Sequence, residues 1–268
     1  MNKKKAIALL SGGLDSTIAI KILLDQGIEI EAVNFMSPFC TCDRKDGCRH
    51  EAKHMSQVLN IPLKMFSTGL EYIEVIKYPR FGYGKNLNPC IDCRIFMLNK
   101  AKKYMDESGA NFLITGEVLG QRPKSQRKDA LAIIDRETGL KGLILRPLSA
   151  KLLAPTIPEQ EGIVDRKQLL AIEGRGRKDQ IALAEKHKIN DYLCAGGGCL
   201  LTDKNFVVKL KDPDSCDMIT IKEASELCIY YTKKREPAEV KYTYQGKDEI
   251  IKSSSMPESR IEERMITI

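Results

Sequence analysis

Long apolar runs are missing from this chain. No stretch within its 268 residues approaches the roughly 20 apolar residues that a membrane-spanning helix requires. The apolar residues 6–10 follow a run of lysines, as in a signal peptide, but they are too few and lead into Ser-Gly-Gly instead of a cleavage site. We therefore expect a first strand there, and a cytoplasmic protein without a membrane partner.

Internal repeats and low-complexity tracts are also missing, and aromatic side chains are scarce. Tryptophan is absent, and aromatic residues make up 6% of the chain. Few of them accompany the basic residues between positions 175 and 188, so the sequence does not indicate base stacking there. The net charge of +7 fits a polyanionic partner and fits solubilising surface charge equally well.

Cysteine, in contrast, is plentiful. Nine cysteines in a cytoplasmic chain do not indicate a disulfide framework. Along the sequence they form three close groups and two isolated residues: Cys40, Cys42 and Cys48; Cys90 and Cys93; Cys194 and Cys199; then Cys216 and Cys228 alone. Close pairs in a reducing compartment indicate metal, cluster or sulfur chemistry, and isolated cysteines indicate packing.

Alternating strand and helix patterns predict the fold class. Strands are expected at residues 5–10, 28–36, 63–67 and 111–115, and helices at 15–25, 49–59 and about 93–107. This order implies βαβ units. We therefore predict an α/β fold with an open, mostly parallel sheet and helices on both faces.

The pattern changes after about residue 120. Residues 130–134 and 142–145 flank Glu137-Thr138-Gly139 and suggest a hairpin-like excursion, while 166–171 and 179–187 suggest short helices. Strand-like runs follow at 206–210, 239–243 and 249–252. We expect one domain over residues 1–200 and a small C-terminal α+β appendage over 201–268.

A candidate phosphate-binding loop follows the first strand, where residues 11–16 read Ser-Gly-Gly-Leu-Asp-Ser before a helix. Gly12 and Gly13 allow backbone amides to approach phosphate oxygens, and the helix N-terminus presents partial positive charge. Ser11 and Ser16 can add hydroxyl donors, while Asp15 can cap the helix and orient magnesium. A bare Ser-Gly-Gly is more often an ordinary turn, so the surrounding string decides.

That string, directly after an apolar strand, resembles the PP-loop of the ATP pyrophosphatases, the adenine nucleotide alpha hydrolase superfamily with its HUP-like fold. It lacks the Gly-Lys-Ser/Thr ending of a Walker A loop. The resemblance implies cleavage of ATP between its α and β phosphates, with Asp15 as a catalytic residue. Thr115 and Gly116, at the end of a predicted strand, resemble the second ATP-contacting segment of these enzymes.

Residues 88–94, Asn-Pro-Cys-Ile-Asp-Cys-Arg, resemble the Asn-Pro-x-x-x-Cys segment of tRNA 2-thiouridylases. The resemblance places Cys93 on the reactive cysteine of that family. The Cys90–Cys93 pair also resembles that of iron–sulfur-dependent tRNA thiolation enzymes, and Cys199 matches their later cysteine. Three thiolates can hold a [4Fe–4S] cluster with one iron open, so Cys90, Cys93 and Cys199 are the expected ligands.

Other chemistry stays open for these cysteines. Cys90 and Cys93 could form half of a zinc site or a redox pair. Alternatively, Cys93 attacks or resolves while Cys199 carries a persulfide, and no metal is needed. Cys194 is ambiguous between a spare thiol, a persulfide carrier and a fourth ligand.

A second group of cysteines lies in the loop after the second predicted strand. Cys40, Cys42 and Cys48 have the density of a structural zinc site, with His50 as a fourth ligand. A loop of free thiols explains them equally well, because their spacing is not a standard one for zinc.

Basic residues occur in two stretches near the predicted site. Arg122 and Lys124 follow the Thr-Gly segment, and Arg175 and Arg177 precede the Cys194 segment. We expect these four to contact RNA phosphates, although a solvated basic loop is the alternative for the first stretch. Residues 146–151 resemble the Arg-Pro-Leu segment that follows the nucleotide domain of tRNA thiolases.

These features together predict an ATP-dependent tRNA sulfurtransferase, a thiouridine synthase that uses ATP, Mg²⁺ and a [4Fe–4S] cluster. Its partners would be tRNA and a sulfur donor, either sulfide or a persulfide carrier. The oligomeric state stays open, with a homodimer as one option. The alternatives are a PP-loop enzyme that adenylates a small molecule and a non-catalytic, zinc-dependent RNA-binding protein. The intact Asp15 and both loop serines argue against the second.

Overall fold

Side chains on both faces of a parallel sheet form the core of the protein. The computed structural model describes residues 4–37, 39, 47–69, 71–189, 192, 199–210, 240–244 and 247–251. Five strands form one sheet in the order β3-β2-β1-β4-β5, and every neighbouring pair is parallel. The strands are β1 (Lys5–Leu9), β2 (Glu29–Met36), β3 (Leu63–Ser67), β4 (Phe112–Thr115) and β5 (Ile144–Leu145). The predicted α/β fold is confirmed.

The helices divide between the two faces as the alternation of strand residues requires. They are α1 (Leu14–Leu24), α2 (Gly47–Val58), α3 (Glu71–Lys77), α4 (Cys90–Ser108), α5 (Lys128–Glu137), α6 (Ile157–Gln160), α7 (Lys178–Lys186) and α8 (Lys204–Leu210). Ala6 and Ala8 of β1 pack in one core with residues of α1, α2 and α7. Ile7 and Leu9 pack in a second core with residues of α4 and α5.

The strand order reverses between β1 and β4, since the chain winds outward from β1 to β3 and returns through β4 to β5. Ligands of open α/β sheets bind at such a switch point, beyond the carboxyl ends of the strands. The loop of residues 11–16 follows β1, and the segment that begins with Gly116 follows β4. Both predicted nucleotide segments therefore lie at this point.

A third apolar cluster lies beyond the edge of the sheet. Phe39, Tyr72 and Ile76 pack there with Leu201 and Phe206, which belong to the segment after Cys199. Residues 199–210 therefore pack against the nucleotide-binding part of the chain, close to the predicted boundary near residue 200. The division into two domains stays a prediction.

Two local predictions are wrong. The hairpin-like excursion around residues 137–139 is instead α5 followed by β5, which joins β4 as a parallel strand. Residues 206–210 belong to α8 and not to a strand, because Phe206, Val207 and Leu210 lie on one buried helical face. Helix α3 was not among the helices predicted from the sequence.

The last described residues form a β-hairpin by themselves. Strand β6 (Val240–Tyr244) pairs with β7 (Lys247–Ile251) in antiparallel register. Among the described helices, none combines the length and apolar character needed to cross a membrane.

Candidate active site at the carboxyl edge of the sheet

The loop of residues 11–16 is closed by hydrogen bonds of its own serines. Ser16 Oγ donates to the carbonyl oxygen of Gly13 at 2.9 Å and accepts from the amide of Ser11 at 3.3 Å. The hydroxyl of the exposed Ser11 lies 3.1 Å from that of Ser16. Ser16 thus shapes the loop, and Ser11 lies on its solvent side.

The first turn of α1 presents its backbone amides at this loop. Gly13 is the N-cap, and its carbonyl accepts the first intrahelical bond from the amide of Thr17. The amides of residues 14–16 precede that bond and have no acceptor within the helix. The prediction that Asp15 caps the helix is wrong, because Asp15 already lies in the first turn.

Only one of the two carboxylate oxygens of Asp15 has hydrogen-bond partners among the described residues. Its Oδ2 accepts from Gln121 Nε2 and from Arg177 Nη2, each at 3.1 Å. Its Oδ1 is buried and has no hydrogen-bond partner among the described residues. A buried carboxylate oxygen without a donor has the chemistry to bind a hard cation such as Mg²⁺.

Helix α7 runs parallel to α1. Arg177 precedes α7 and pairs with Asp15 at the start of α1, while His187 Nδ1 at the other end lies 3.6 Å from Asp25 Oδ2. The N-termini of both helices therefore face the loop, where their dipoles favour an anion.

Gly12 and Gly116 are required by close packing around this loop. Gly12 has a φ of +77°, and a Cβ there would lie 2.7 Å from Glu51 Cβ and 2.8 Å from the Ala52 nitrogen of α2. A Cβ on Gly116 would lie 2.5 Å from the nitrogen and Cα of Ser16. Gly116, directly after β4, therefore packs against the first turn of α1 without room for a side chain.

We expect Gly116→Ala to destabilise the fold by about 1–3 kcal/mol, because the new methyl group must displace backbone and not a flexible side chain. The affinity for ATP should fall with it, since Asp15 and Ser16 lie in the displaced turn. Chemical denaturation and ATP titration measure the two effects. Gly176→Ala is the control: no heavy atom lies within 4 Å of its added Cβ, and its φ is not left-handed. Equal stability of the two variants would contradict this account.

The start of α4 carries the predicted cysteine pair. Cys90 and Cys93 are free thiols in its first turn. The buried hydroxyl of Tyr72, on α3, donates to Cys93 Sγ at 3.0 Å. Burial raises the pKa of Tyr72, and Cys93, Cys199 and Cys90 raise it further in that order. Tyr72 thus contacts Cys93 directly, and the charges of Cys199 and Cys90 also act on its hydroxyl.

Burial also raises the pKa of both thiols of the pair. For Cys93, the Tyr72 hydrogen bond and the charge of Arg94 oppose the shift, and for Cys90 the charges of Arg122 and Lys124 oppose it. The cations around the pair thus favour a thiolate that burial alone would disfavour.

Backbone hydrogen bonds fix the residues that follow Cys199 against the segments that contain Phe39 and Leu87. The amide of Leu200 donates to Phe39 O at 2.7 Å, and the amide of Leu87 donates to Leu201 O at 3.1 Å. Cys93 and Cys199 both pack against the third apolar cluster. Among the described residues, no group of three or more His, Cys, Asp or Glu side chains is arranged to hold a metal ion. Three cysteine thiolates are the donor chemistry of an iron–sulfur site.

The second predicted metal site lies outside the described side chains. Cys40 and Cys42 are outside the described residues, and only the backbone is described for Cys48 and His50. The same holds for Cys194, which is outside the described residues.

Residues 121–124 join the phosphate loop to the cysteine pair. Gln121 bonds to Asp15, and Lys124 Nζ donates to the carbonyl oxygen of Tyr83, beside Cys90. The charge of Arg122 acts on both Cys90 and Asp15. Two of the residues predicted to bind RNA therefore lie between the two predicted reacting centres.

A buried ion network that the sequence analysis missed supports this arrangement. Glu117 pairs with Arg94 Nε at 3.1 Å and with Arg146 Nε at 2.9 Å, and Arg146 also forks onto Asp135 at 2.7 and 3.1 Å. Burial alone would raise the pKa of Glu117, but both arginines bring it below its ordinary value. The network fixes Arg94, the neighbour of Cys93, against the end of β4.

The second basic stretch is tied to the same edge. Ser149, fully buried, donates to Ile172 O at 2.6 Å and accepts from the amide of Leu119 at 2.9 Å. Farther along the same stretch, Arg177 contacts Asp15 in the phosphate loop, whereas Arg175 is exposed.

Comparison with known proteins finds relatives for the part of the chain that builds this site. The family model described as "Thiamine biosynthesis protein (ThiI)" matches residues 1–151. The chain is 32% identical over 149 residues to the probable tRNA sulfurtransferase of a Thermoanaerobacter species, covering 54% of this chain and 36% of that protein. It is 31% identical over 121 residues to the tRNA-specific 2-thiouridylase MnmA of Syntrophotalea carbinolica, covering 42% and 34%. The chain therefore spans about a third of the length of these curated relatives.

Solved structures with a similar course of the chain include a 4-thiouridine synthetase in complex with RNA and bound ATP. That similarity has a TM-score of 0.44 at 23% identity and covers 70% of this chain and 54% of the other. A second is the U34-tRNA thiolase NcsA from Methanococcus maripaludis with its [4Fe–4S] cluster, with a TM-score of 0.40 at 14% identity, covering 88% and 73%.

Proposed function

The chain belongs to the family of the thiamine biosynthesis protein ThiI, and from this membership we propose that it is an ATP-dependent tRNA sulfurtransferase. Its substrate is a uridine of tRNA, whose carbonyl oxygen it replaces with sulfur. The proposal applies the activity named for its relatives to a chain that matches only part of their length.

One observation carries the proposal above all. The four residues 121–124 contact Asp15 at one end and lie beside Cys90 at the other. A site that only adenylates a small molecule has no need of partly buried thiols near its phosphate loop. A site that exchanges oxygen for sulfur needs both, because activation and sulfur transfer act on the same carbonyl group.

The first step is adenylation. The uridine carbonyl oxygen attacks the α-phosphorus of ATP, the bond to the β-phosphate breaks, and pyrophosphate leaves. Asp15 would orient Mg²⁺ through its unpartnered Oδ1, and the amides at the start of α1 would hold the phosphates. Arg177 and Arg122 would add positive charge beside Asp15.

The second step replaces the activated oxygen. A hydrosulfide sulfur attacks the same carbon, the carbon–oxygen bond breaks with AMP as leaving group, and one proton is released, so no oxidant is needed. Cys90, Cys93 and Cys199 would hold a [4Fe–4S] cluster, which would supply an iron without a protein ligand as a site for hydrosulfide. Tyr72 and Arg94 place a hydroxyl donor and a cation beside Cys93.

The test follows AMP and thiouridine together. Anaerobically purified protein is incubated with ATP, Mg²⁺, sulfide and bulk tRNA, and the nucleosides are analysed after digestion. We expect one AMP for each thiouridine formed. AMP that accumulates with a small metabolite and without tRNA would contradict a tRNA substrate, and no AMP under any condition would contradict an enzyme of this type.

Binding of bulk tRNA should weaken steeply with salt, because phosphate contacts release counterions. The expected contacts include Arg122, Lys124, Arg175 and Arg177. Since Arg175 is exposed, Arg175→Ala should lower the slope of log affinity against log salt by about one. Arg136→Ala, at an exposed arginine of α5, is the control and should leave the slope unchanged. An affinity that salt does not alter would count against this surface.

A further inference from the structure

The segment between α3 and α4, residues 78–88, carries an unusual concentration of exposed aromatic surface. Tyr78 is 71% exposed and Tyr83 is 38% exposed, in a chain with few aromatic residues. The Tyr83 hydroxyl donates to the carbonyl oxygens of Ile76 and Lys77 at 2.7 and 3.2 Å, directly before Tyr78. The two tyrosines therefore stand next to each other.

This segment is held firmly at both ends. The amides of Arg80 and Phe81 donate to the carboxylate of Asp92 in the first turn of α4, at 2.9 and 3.1 Å. Asn86 Nδ2 donates to the carbonyl oxygen of Thr202 at 2.8 Å, in the segment after Cys199. Its aromatic rings are thus presented on a fixed backbone, which lowers the entropy lost on binding.

The same segment passes beside the cysteine pair. A Cβ placed on Gly84 would lie 2.9 Å from Cys90 Sγ and 3.4 Å from Lys124 Cδ. Lys124 Nζ in turn donates to the carbonyl oxygen of Tyr83. The backbone of this segment at Tyr83 and Gly84 therefore lies beside Cys90.

Cations lie in the same segment as the tyrosines. The Arg80 side chain is 72% exposed, lies over the Phe81 ring at 5.4 Å and pairs with Glu137 Oε2 at 2.9 Å, and Lys85 is exposed as well. Asp92 is engaged with two backbone amides, and Glu137 is paired with Arg80 and Arg136. Exposed aromatic faces among cations are the features with which proteins bind unpaired nucleotides.

We propose that residues 78–88 form a stacking platform for an unpaired RNA nucleotide next to the uridine that reacts. The platform rests on the proposed function for its biological ligand. Tyr78 offers the base an exposed ring, Tyr83 forms the fixed neighbour, and Lys85 contacts a flanking phosphate. The exposed charged side chains of Arg80 and Lys85 disfavour an apolar protein partner.

The absence of tryptophan allows a direct test. Tyr78→Trp creates a single fluorophore on the platform, and Val58→Trp creates one at a 49% exposed position on α2 as the matched control. A single-stranded oligouridylate should quench the fluorescence of Tyr78→Trp to saturation and leave that of Val58→Trp unchanged. An unquenched Tyr78→Trp, whether or not the labelled oligonucleotide binds by anisotropy, would overturn the platform.

Catalysis separates this inference from the proposed function. With tRNA as substrate, Tyr78→Leu should raise KM about tenfold at unchanged kcat, whereas Tyr78→Phe, which keeps the ring, should behave like the wild type. If the wild type forms thiouridine and Tyr78→Leu matches its KM, the platform is wrong and the proposed function stands. If the wild type forms no thiouridine but the fluorescence of Tyr78→Trp responds to RNA, the proposed function fails and the platform stands.

Discussion

Replacement of Asp15 by alanine is expected to abolish pyrophosphate release while the protein stays folded. Its Oδ1 is buried without a hydrogen-bond partner among the described residues, so the oxygen is available to a cation and contributes little to folding. Loss of the carboxylate proposed to orient magnesium should lower the rate by roughly a hundredfold or more. Pyrophosphate release under saturating ATP and tRNA measures the effect, and thermal unfolding checks the fold.

Asp25→Ala is the matched control, because Asp25 caps the opposite end of the same helix. It removes an equal charge and the contact with His187, but it lies away from the loop. We expect it to retain turnover. Normal turnover in folded Asp15→Ala would remove the basis for assigning a PP-loop enzyme.

The half of the fold that builds the nucleotide site could be predicted from the sequence. Residues 6–10 are apolar and lead into a glycine loop, and helix α1 follows. The length of the apolar run and the glycines that end it therefore identify the strand, the turn and the start of the helix. Parallel pairing then brings the ends of β1 and β4 together, and Gly116 reaches Ser16 as a consequence.

Short apolar runs could not be assigned in the same way. Residues 206–210 read Phe-Val-Val-Lys-Leu, a composition that favours a strand, yet they form part of α8. Tertiary burial decides there: Phe206, Val207 and Leu210 share a face toward Phe39 and Tyr72. Residues 130–134 are equally ambiguous by pattern, and the contact of Ala130 and Ile134 with the sheet makes them helical.

Side-chain partners across the fold were beyond the reach of sequence patterns. Arg177 and Asp15 are 162 positions apart, and only the parallel course of α1 and α7 brings them to 3.1 Å. Tyr72 lies on a helix that no motif marks, 21 positions before Cys93. Glu117 had one visible signal, an acidic residue directly after Thr115-Gly116, but its arginine partners come from other elements.

Removal of any one of Cys90, Cys93 and Cys199 should deplete iron and thiolation activity together. In the proposed site the three thiolates are ligands of one cluster. Each Ala variant therefore loses a third of the ligands, which destabilises the whole cluster. Anaerobic purification, iron determination and the visible absorption spectrum measure the cluster independently of turnover. Activity should fall to background in all three variants, and Cys194→Ala should keep most of both iron and activity.

The competing mechanism uses the same positions without metal. There Cys199 carries a persulfide, Cys93 resolves it, and each transfer leaves a disulfide that an external dithiol must reduce, so two electrons enter every cycle. Cys90→Ala separates the two accounts, because the two-cysteine mechanism does not use that thiol. An iron-free protein that reaches full activity with a persulfide donor and a dithiol would refute the cluster. Loss of activity in Cys90→Ala together with its iron would refute the two-cysteine mechanism, since Cys93, Cys199 and the Tyr72 hydrogen bond all remain in that variant.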